Sequence, residues 1–480
     1  MSAMHFDGKS MSMRAAALFQ FGSKYISMGA QLIITAVLAR LIAPDDFGLV
    51  AIVTVFTGLF SLLSDMGIGV AIVQYRDLTE QDYGKLFGFS IVLAIGLTAT
   101  FCAVSPLIAA LYGDDRLMSL CCAASPLLLF STLNMVPSGL MLKERRFAAI
   151  GMRLVCATAV SGVMAIGIAF SGAGCYALVI QSALSAFIVL VWNVITRRIS
   201  HISLHFMEPL RRIFSYSSYQ FGFSLINYFS RNLDNLLIGR FMGPAQLGYY
   251  DKAYKLTGYP LSAFSSVIGS VIQPYMAEHQ NESDVIFSCF MRVEKLLSLV
   301  GVGVAVVFFC ASSEIIQVFY GPGWDAAIPA FSILGVSVYF QMMGNPSGAF
   351  FQSLGRTDYM FRVGLINTAI TLVGLISGLL GGTITTVAFG IAAAYCLHIF
   401  STAWFLIHHG FGKSVGCLKV FLPEVGVGII VAICVSAVFG TIKLPLLGCF
   451  FAKTCTAFAL LLLGYGLTGQ LGYLKAMLKR

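Results

Sequence analysis

The chain has 480 residues, of which 58% are hydrophobic and only 11% charged, with a mean hydropathy of +0.86 and a formal net charge of +9. A soluble domain carries about 25% charged residues, so a soluble enzyme or binding module is excluded and the composition is that of a polytopic membrane protein. No basic domain gathers the positive charge, which argues against a nucleic-acid partner.

Crossing a hydrocarbon core about 30 Å thick takes around 20 apolar residues as a helix. In chain order the candidate spans are 15–42, 47–73, 85–112, 117–141, 150–171, 174–196, 215–242, 247–276, 289–319, 327–353, 359–379, 383–408, 419–440 and 447–469, fourteen in all. The expected fold is therefore all-α. Span one has no small-residue cleavage site after a short apolar core and reads as an uncleaved helix. The longest polar connection holds Ser203-Leu-His-Phe-Met-Glu-Pro-Leu-Arg-Arg-Ile-Phe214, which suits a short interfacial helix.

Lys and Arg in short loops stay cytoplasmic. Lys9, Arg14, Arg76, Lys85, Lys143, Arg145, Arg146, Arg153, Arg197, Arg198, Arg211, Arg212, Arg292, Lys295, Arg356, Arg362, Lys413, Lys419, Lys475, Lys479 and Arg480 fall on one side. The other side offers Arg40, Arg116, Arg240 and Lys443. Both termini are thus expected in the cytoplasm. Asn281-Glu-Ser283 fits a glycosylation sequon, but on that side the match is accidental. The twelve cysteines lie mainly in apolar spans and include no Cys-x-x-Cys. His201 and His205, two loop histidines without carboxylate support, do not make a metal site. No metal or cofactor is expected.

Residues 19–73 laid over 219–273 match at Gln20, Phe21, Gly22, Ile26, Arg40, Pro44, Gly48, Thr57, Gly58, Ile68, Gly69 and Ile72 and their counterparts 200 residues on. The match continues with Tyr112-Gly113 and Tyr320-Gly321, Pro137-Ser138-Gly139 and Pro346-Ser347-Gly348, and Arg153 and Arg362. Such self-similarity marks two copies of one unit. Six spans per copy is an even number, so both copies enter from the same side, as parallel repeats. The expected organisation is a six-helix bundle over 1–200, a linker helix over 201–214, a second six-helix bundle over 215–410 and two additional helices over 411–480.

Polar stripes run through the apolar spans. Gln20, Lys24, Ser27 and Gln31 share one face of span one by their spacing, and Gln220, Ser224, Asn227 and Arg231 share the matching face of span seven, continuing to Asp234 and Asn235. Span eight adds Lys252, Lys255, Tyr259 and Ser262, with Asp251 beside them. Lys24 lies about 15 Å into its span at the helical rise. Charges at that depth cost about 3 kcal/mol each on insertion scales, so both stripes are expected to line a shared, positively charged cleft. Simpler readings compete. Arg231 and Asp234, three apart, can neutralise one another, Asp251 can do the same for Lys255, and Lys252 can snorkel to the headgroups. Arg40, Pro44 and Gly48, like Arg240, Pro244 and Gly248, fit a loop-to-helix turn.

The run Asn232-Leu-Asp-Asn235-Leu-Leu-Ile-Gly239-Arg240-Phe-Met-Gly243-Pro-Ala-Gln-Leu247-Gly248-Tyr-Tyr250, together with Phe47-Gly-Leu-Val-Ala and Ser64-Asp-Met-Gly-Ile-Gly-Val-Ala-Ile-Val-Gln74, resembles the Wzx-type polysaccharide flippases related to the colanic acid exporter. These belong to the multidrug/oligosaccharidyl-lipid/polysaccharide superfamily, and the resemblance covers nearly the whole chain. It implies export of an undecaprenyl-pyrophosphate-linked oligosaccharide across a bacterial inner membrane for exopolysaccharide or lipopolysaccharide synthesis, alongside polysaccharide polymerase machinery. Under that reading Lys24, Arg231 and Lys255 meet the phosphates, Lys252 belongs to the same substrate-binding set, and Gln20, Gln31, Asn227, Asn235 and Tyr259 meet the sugar hydroxyls. Asp234 and Asp251 are the candidates for a coupling proton or Na⁺. The alternative within the superfamily is a cation-coupled multidrug exporter, whose cationic substrates suit a cleft of the opposite charge. A membrane-embedded polymerase or glycosyltransferase would need a large outer loop, and none is present, so the chain is not expected to be an enzyme.

Overall fold

Where water is absent the backbone must bond to itself, and the computed structural model answers with helices. It describes residues 13–65, 68–75, 77–278, 282–440, 442 and 444–472, with side chains described from residue 19 on except 65, 211–224, 226, 265–275, 277 and 278. Gln220 and Ser224 of the span-seven stripe, and the terminal Lys9, Lys475, Lys479 and Arg480, lie outside that description, as do Arg76, Lys443 and Asn281.

The first helices are α1 (Met13–Leu41), α2 (Pro44–Asp65), α3 (Ile68–Gln74), α4 (Glu80–Tyr112), α5 (Arg116–Leu133), α6 (Met135–Lys143), α7 (Phe147–Phe170), α8 (Cys175–Thr196) and α9 (Met207–Met242). They are followed by α10 (Pro244–Glu278), α11 (Ser283–Cys310), α12 (Ser312–Tyr320), α13 (Ile328–Gly344), α14 (Ser347–Ser353), α15 (Thr357–Leu380), α16 (Ile384–Ala403), α17 (Leu422–Phe439) and α18 (Leu446–Leu467). Among the described residues no strand occurs, and twelve helical stretches are long and apolar enough to cross a membrane. α9 and α10, of 36 and 35 residues, exceed the needed length while carrying polar and charged side chains along their course. Counted with these two, helical stretches match all fourteen expected spans among the described residues.

Several crossings are not single helices. The stretches 117–141 and 327–353 each divide, into α5 and α6 and into α13 and α14. Pro137 stands just past the first break and Pro346 within the second, where a missing N–H and a ring clash with the preceding turn favour interruption of the helix. Residues 404–410 form a wider π turn and residues 415–421 a tight 3₁₀ turn before α17. The segment 201–214, expected as a separate helix, divides instead. Residues 197–206 are not helical, and 207–214 are the opening turns of α9. The non-helical part lies on α4, where a Cβ at Gly84 or Gly88 would overlap the carbonyls of His201 or Ser203.

By packing, the chain forms two compact units, residues 1–248 and 249–480. In the first, α1 packs on α7, α4 on α5, α5 on α8 and α7 on α8, while α9 packs on α2 and α4. In the second, α11 on α13, α13 on α16 and α15 on α16 repeat the relations of α4, α5, α7 and α8. α17 and α18, outside the repeat, cover α11 through Val302, Val306, Val431, Val435 and Leu461.

Within the first unit one contact is reciprocal. A Cβ at Gly48 of α2 would overlap the Pro244 carbonyl, and a Cβ at Gly248 would overlap the Pro44 carbonyl. Pro44 and Gly48 match Pro244 and Gly248 in the repeat. The loop-to-helix turns expected at these positions are therefore also a close crossing of the starts of α2 and α10.

Candidate functional site

The polar stripe of α1 divides between two environments. Ser23 and Ser27 are buried, on the side where α1 meets α7, and a Cβ at Gly151 of α7 would overlap Ser23 Oγ. Gln31 is half-buried and tied inside the unit: its Nε2 donates to Thr35 Oγ1 at 3.3 Å and its Oε1 accepts from Gln181 Nε2 of α8 at 3.4 Å. Gln20 is half-buried, and Lys24 is exposed on the surface of the unit. Among the described residues Lys24 makes no ion pair.

α9 is oriented by Tyr228, whose hydroxyl donates to the Val55 carbonyl of α2. Gly58 makes this possible, since a Cβ there would overlap the Tyr228 ring. Tyr112 of α4 donates to the Leu236 carbonyl at 3.2 Å, a second tether. Held in this rotation, α9 exposes Asn227 and Arg231, one turn apart on one face. The internal pairing of Arg231 with Asp234 is not formed; among the described residues Arg231 has no ion pair. Asp234 Oδ1 accepts from the Asn235 backbone N–H at 2.9 Å, and both residues are half-buried.

In the second unit Asp251 is buried between two lysines, 2.9 Å from Lys255 Nζ and 3.5 Å from Lys252 Nζ. Lys252 turns inward to this carboxylate rather than outward, with a side chain 9% exposed, whereas that of Lys255 is 53% exposed. The cluster keeps one positive charge in excess, and Lys255 presents it. Tyr259, one turn on, is half-buried. Tyr320 of α12 donates to the Lys252 carbonyl at 3.2 Å and fixes this part of α10.

By unit, Gln20, Lys24, Gln31, Asn227, Arg231, Asp234 and Asn235 belong to the first, and Asp251, Lys252, Lys255 and Tyr259 to the second.

A second set of buried polar residues lies outside the stripes. Lys295, counted by sequence with loop charges, is a core residue of α11 that pairs with Glu424 of α17 at 2.7 Å, the two side chains 2% and 0% exposed. Its neighbour Glu294 is also buried. Arg153, likewise counted as a loop charge, donates to the fully buried Asn193, which in turn donates to Asn134 at 2.7 Å and Ser138 at 3.1 Å. The signal for the first group was available: Glu294 and Lys295 both fall inside the apolar stretch 289–319.

A family model described as "Polysaccharide biosynthesis protein" matches residues 37–329. The teichuronic acid biosynthesis protein TuaB of Bacillus subtilis (strain 168) is 25% identical over 378 residues, covering 77% of this chain and 78% of that protein. The lipopolysaccharide biosynthesis protein WzxC of Escherichia coli (strain K12) is 25% identical over 366 residues, covering 75% and 74%. Among solved structures, the lipid II flippase MurJ in an inward closed conformation superposes with a TM-score of 0.76 at 12% identity, over 95% of this chain and 99% of that one. At that identity the likeness is one of fold.

Proposed function

The chain belongs to the polysaccharide biosynthesis protein family, and from that premise we propose that it flips lipid-linked oligosaccharide repeat units across the bacterial inner membrane. The substrate class is an undecaprenyl pyrophosphate carrying a short glycan. The names of the relatives, lipopolysaccharide and teichuronic acid biosynthesis proteins, and of the fold neighbour, a lipid II flippase, support it.

One observation carries the reading: Lys24 and Arg231 are exposed cations on long helices, and neither has a carboxylate partner among the described residues. Lys24 stands 17 residues before the end of α1 and Arg231 11 residues before the end of α9, about 25 Å and 16 Å along the axis. Unneutralised cations at those depths are costly in hydrocarbon and favourable beside an anion in a wet cleft. A pyrophosphate is such an anion, and it cannot cross hydrocarbon unaided. Lys255, its charge in excess over Asp251, completes the phosphate-binding set, with Lys252 behind it. Gln20, Gln31, Asn227, Asn235 and Tyr259 meet sugar hydroxyls, while the polyprenyl tail stays in lipid.

In this mechanism two parallel bundles, 1–200 and 215–410, rock about the cleft so that it opens first to the cytoplasm and then outward. Both termini stay cytoplasmic, and Asp234 or Asp251 takes up a coupling ion. The positive sign of the site disfavours a multidrug exporter of organic cations.

The test is replacement of Lys24 and of Arg231 by alanine, with membrane abundance checked. Lipid-linked repeat units should accumulate on the cytoplasmic face and surface polymer should be lost. Normal polymer production from both variants would overturn the assignment of these residues.

A further inference from the structure

Glu294 of α11 is 3% exposed, and its Oε2 has no hydrogen-bond partner. Among the described residues no cation lies within ion-pair distance of it. It sits 11 residues into a helix of 28, about 16 Å from the start. The adjacent Lys295 does not serve it, because neighbouring residues point about 100° apart around a helix. Lys295 instead donates to Glu424 Oε2 at 2.7 Å and to the Val420 carbonyl at 2.6 Å.

The rest of the surroundings is polar but already engaged. Ser298, one turn after Glu294, donates to Glu424 Oε1 at 2.9 Å and lies 3.4 Å from the Tyr339 hydroxyl. Tyr465 of α18 donates to the Leu299 carbonyl at 2.9 Å. Of the titratable groups here, Tyr339 on α13 interacts with Glu294 and also with Glu424 on α17 and Cys396 on α16, Tyr465 on α18 interacts with Glu424 and Tyr339, and Lys295 is next in the chain. The adjacent cation, Lys295, is committed to Glu424. An ionised carboxylate left unpaired in an interior is strongly disfavoured, and an intramembrane acid without a structural partner marks an ion pathway more often than a packing role.

We propose that Glu294 is a proton-binding site in the second unit, filled in the conformation described and emptied when α11 shifts against α13 and α17. On release the O–H bond breaks, its electron pair stays on the carboxylate oxygen and the proton passes to water on the face then open. Uptake from the opposite face reverses the step, and the transmembrane proton gradient supplies the driving force. The coupling half of this inference rests on the transport reading above; proton binding itself does not.

Infrared spectroscopy of the purified full-length protein in lipid nanodiscs decides the binding half. At neutral pH the wild type should show a protonated-carboxyl band that Glu294→Gln lacks and Glu294→Asp retains at a shifted position. An unchanged band in Glu294→Gln overturns the assignment; should that variant fail to fold, an unshifted band in Glu294→Asp does the same. Exchange of choline for sodium should leave the band in place, and its loss would make this a sodium site instead. For coupling, the protein is reconstituted with a fluorescent polyprenyl-pyrophosphate disaccharide and a pH difference is imposed. Translocation by the wild type should change severalfold with the gradient, and that by Glu294→Gln should not. A wild type indifferent to the gradient, or a variant that responds equally, overturns coupling. If the wild type moves no probe while the band is present, the transport reading fails and the proton site stands.

Discussion

Glu294 and Lys295 are consecutive residues with opposite surroundings, one carboxyl without a partner and one ammonium with two acceptors. The lysine joins α11 to the start of α17, so its loss strands Glu424, which is fully buried. Lys295→Ala is expected to destabilise the protein by about 3–5 kcal/mol, the usual cost of breaking a buried pair by removing one partner. Replacing both residues by leucine or methionine should cost far less. Thermal unfolding in detergent compares the two, and a single variant no worse than the double would contradict the pairing. From the sequence Lys295 was legible as a charge but not as a core residue, since charge counting along loops takes no account of which way a side chain turns. Lys24 and Arg231 were legible because a cation at mid-helix spacing in an apolar run stands out whatever its neighbours do.

At the level of elements, the positions of the crossings followed from apolar length alone, and their ends agree with the expected ranges within a few residues at most boundaries. Their internal breaks did not follow, although Pro137 and Pro346 marked two of them. Apolar runs signal membrane crossing without distinguishing one helix from two. The spacing of the α1 stripe predicts one cleft-facing surface, yet Ser27 is buried and Gln31 bonds to Gln181 of α8. Helical spacing fixes a common face but not what that face meets.

A polar connection outside the crossings gives a pH-dependent element. Arg116 at the start of α5 holds Asp114 of the preceding turn at 2.7 Å and Asp45 in the first turn of α2 at 2.8 Å. Its hydrogen bonds keep the Asp114 carboxyl below the usual range. A lowered folded-state pKa means the contribution is present above the ordinary carboxyl value and is lost as pH falls through the folded one. Asp114→Asn should therefore be less stable than the wild type near neutrality and approach it below about pH 4. Unfolding midpoints across that interval test this, and a gap that widens in acid would contradict it.

For the whole molecule, the repeat in the sequence has a counterpart in packing, since the relations among α4, α5, α7 and α8 recur among α11, α13, α15 and α16. The crossing of Gly48 and Gly248 is where matched positions of the two copies meet each other. Alanine at either glycine should destabilise by about 1–3 kcal/mol as an overpacked contact. The two changes should not add, because they strain the same crossing. Chemical unfolding of the single and double variants measures this, and strict additivity would show the two sites to be independent.

A contact in which residue i of one copy meets residue j of the other, and j meets i, is the signature of a two-fold axis between identical chains. The Pro-x-x-x-Gly turns at 44–48 and 244–248 have that form. A half-length chain bearing one such turn would be self-complementary at this point. Here that reciprocal contact lies within a single polypeptide, whose matched positions are free to differ in charge, as Lys24 against Ser224 and Gln31 against Arg231 do in the sequence.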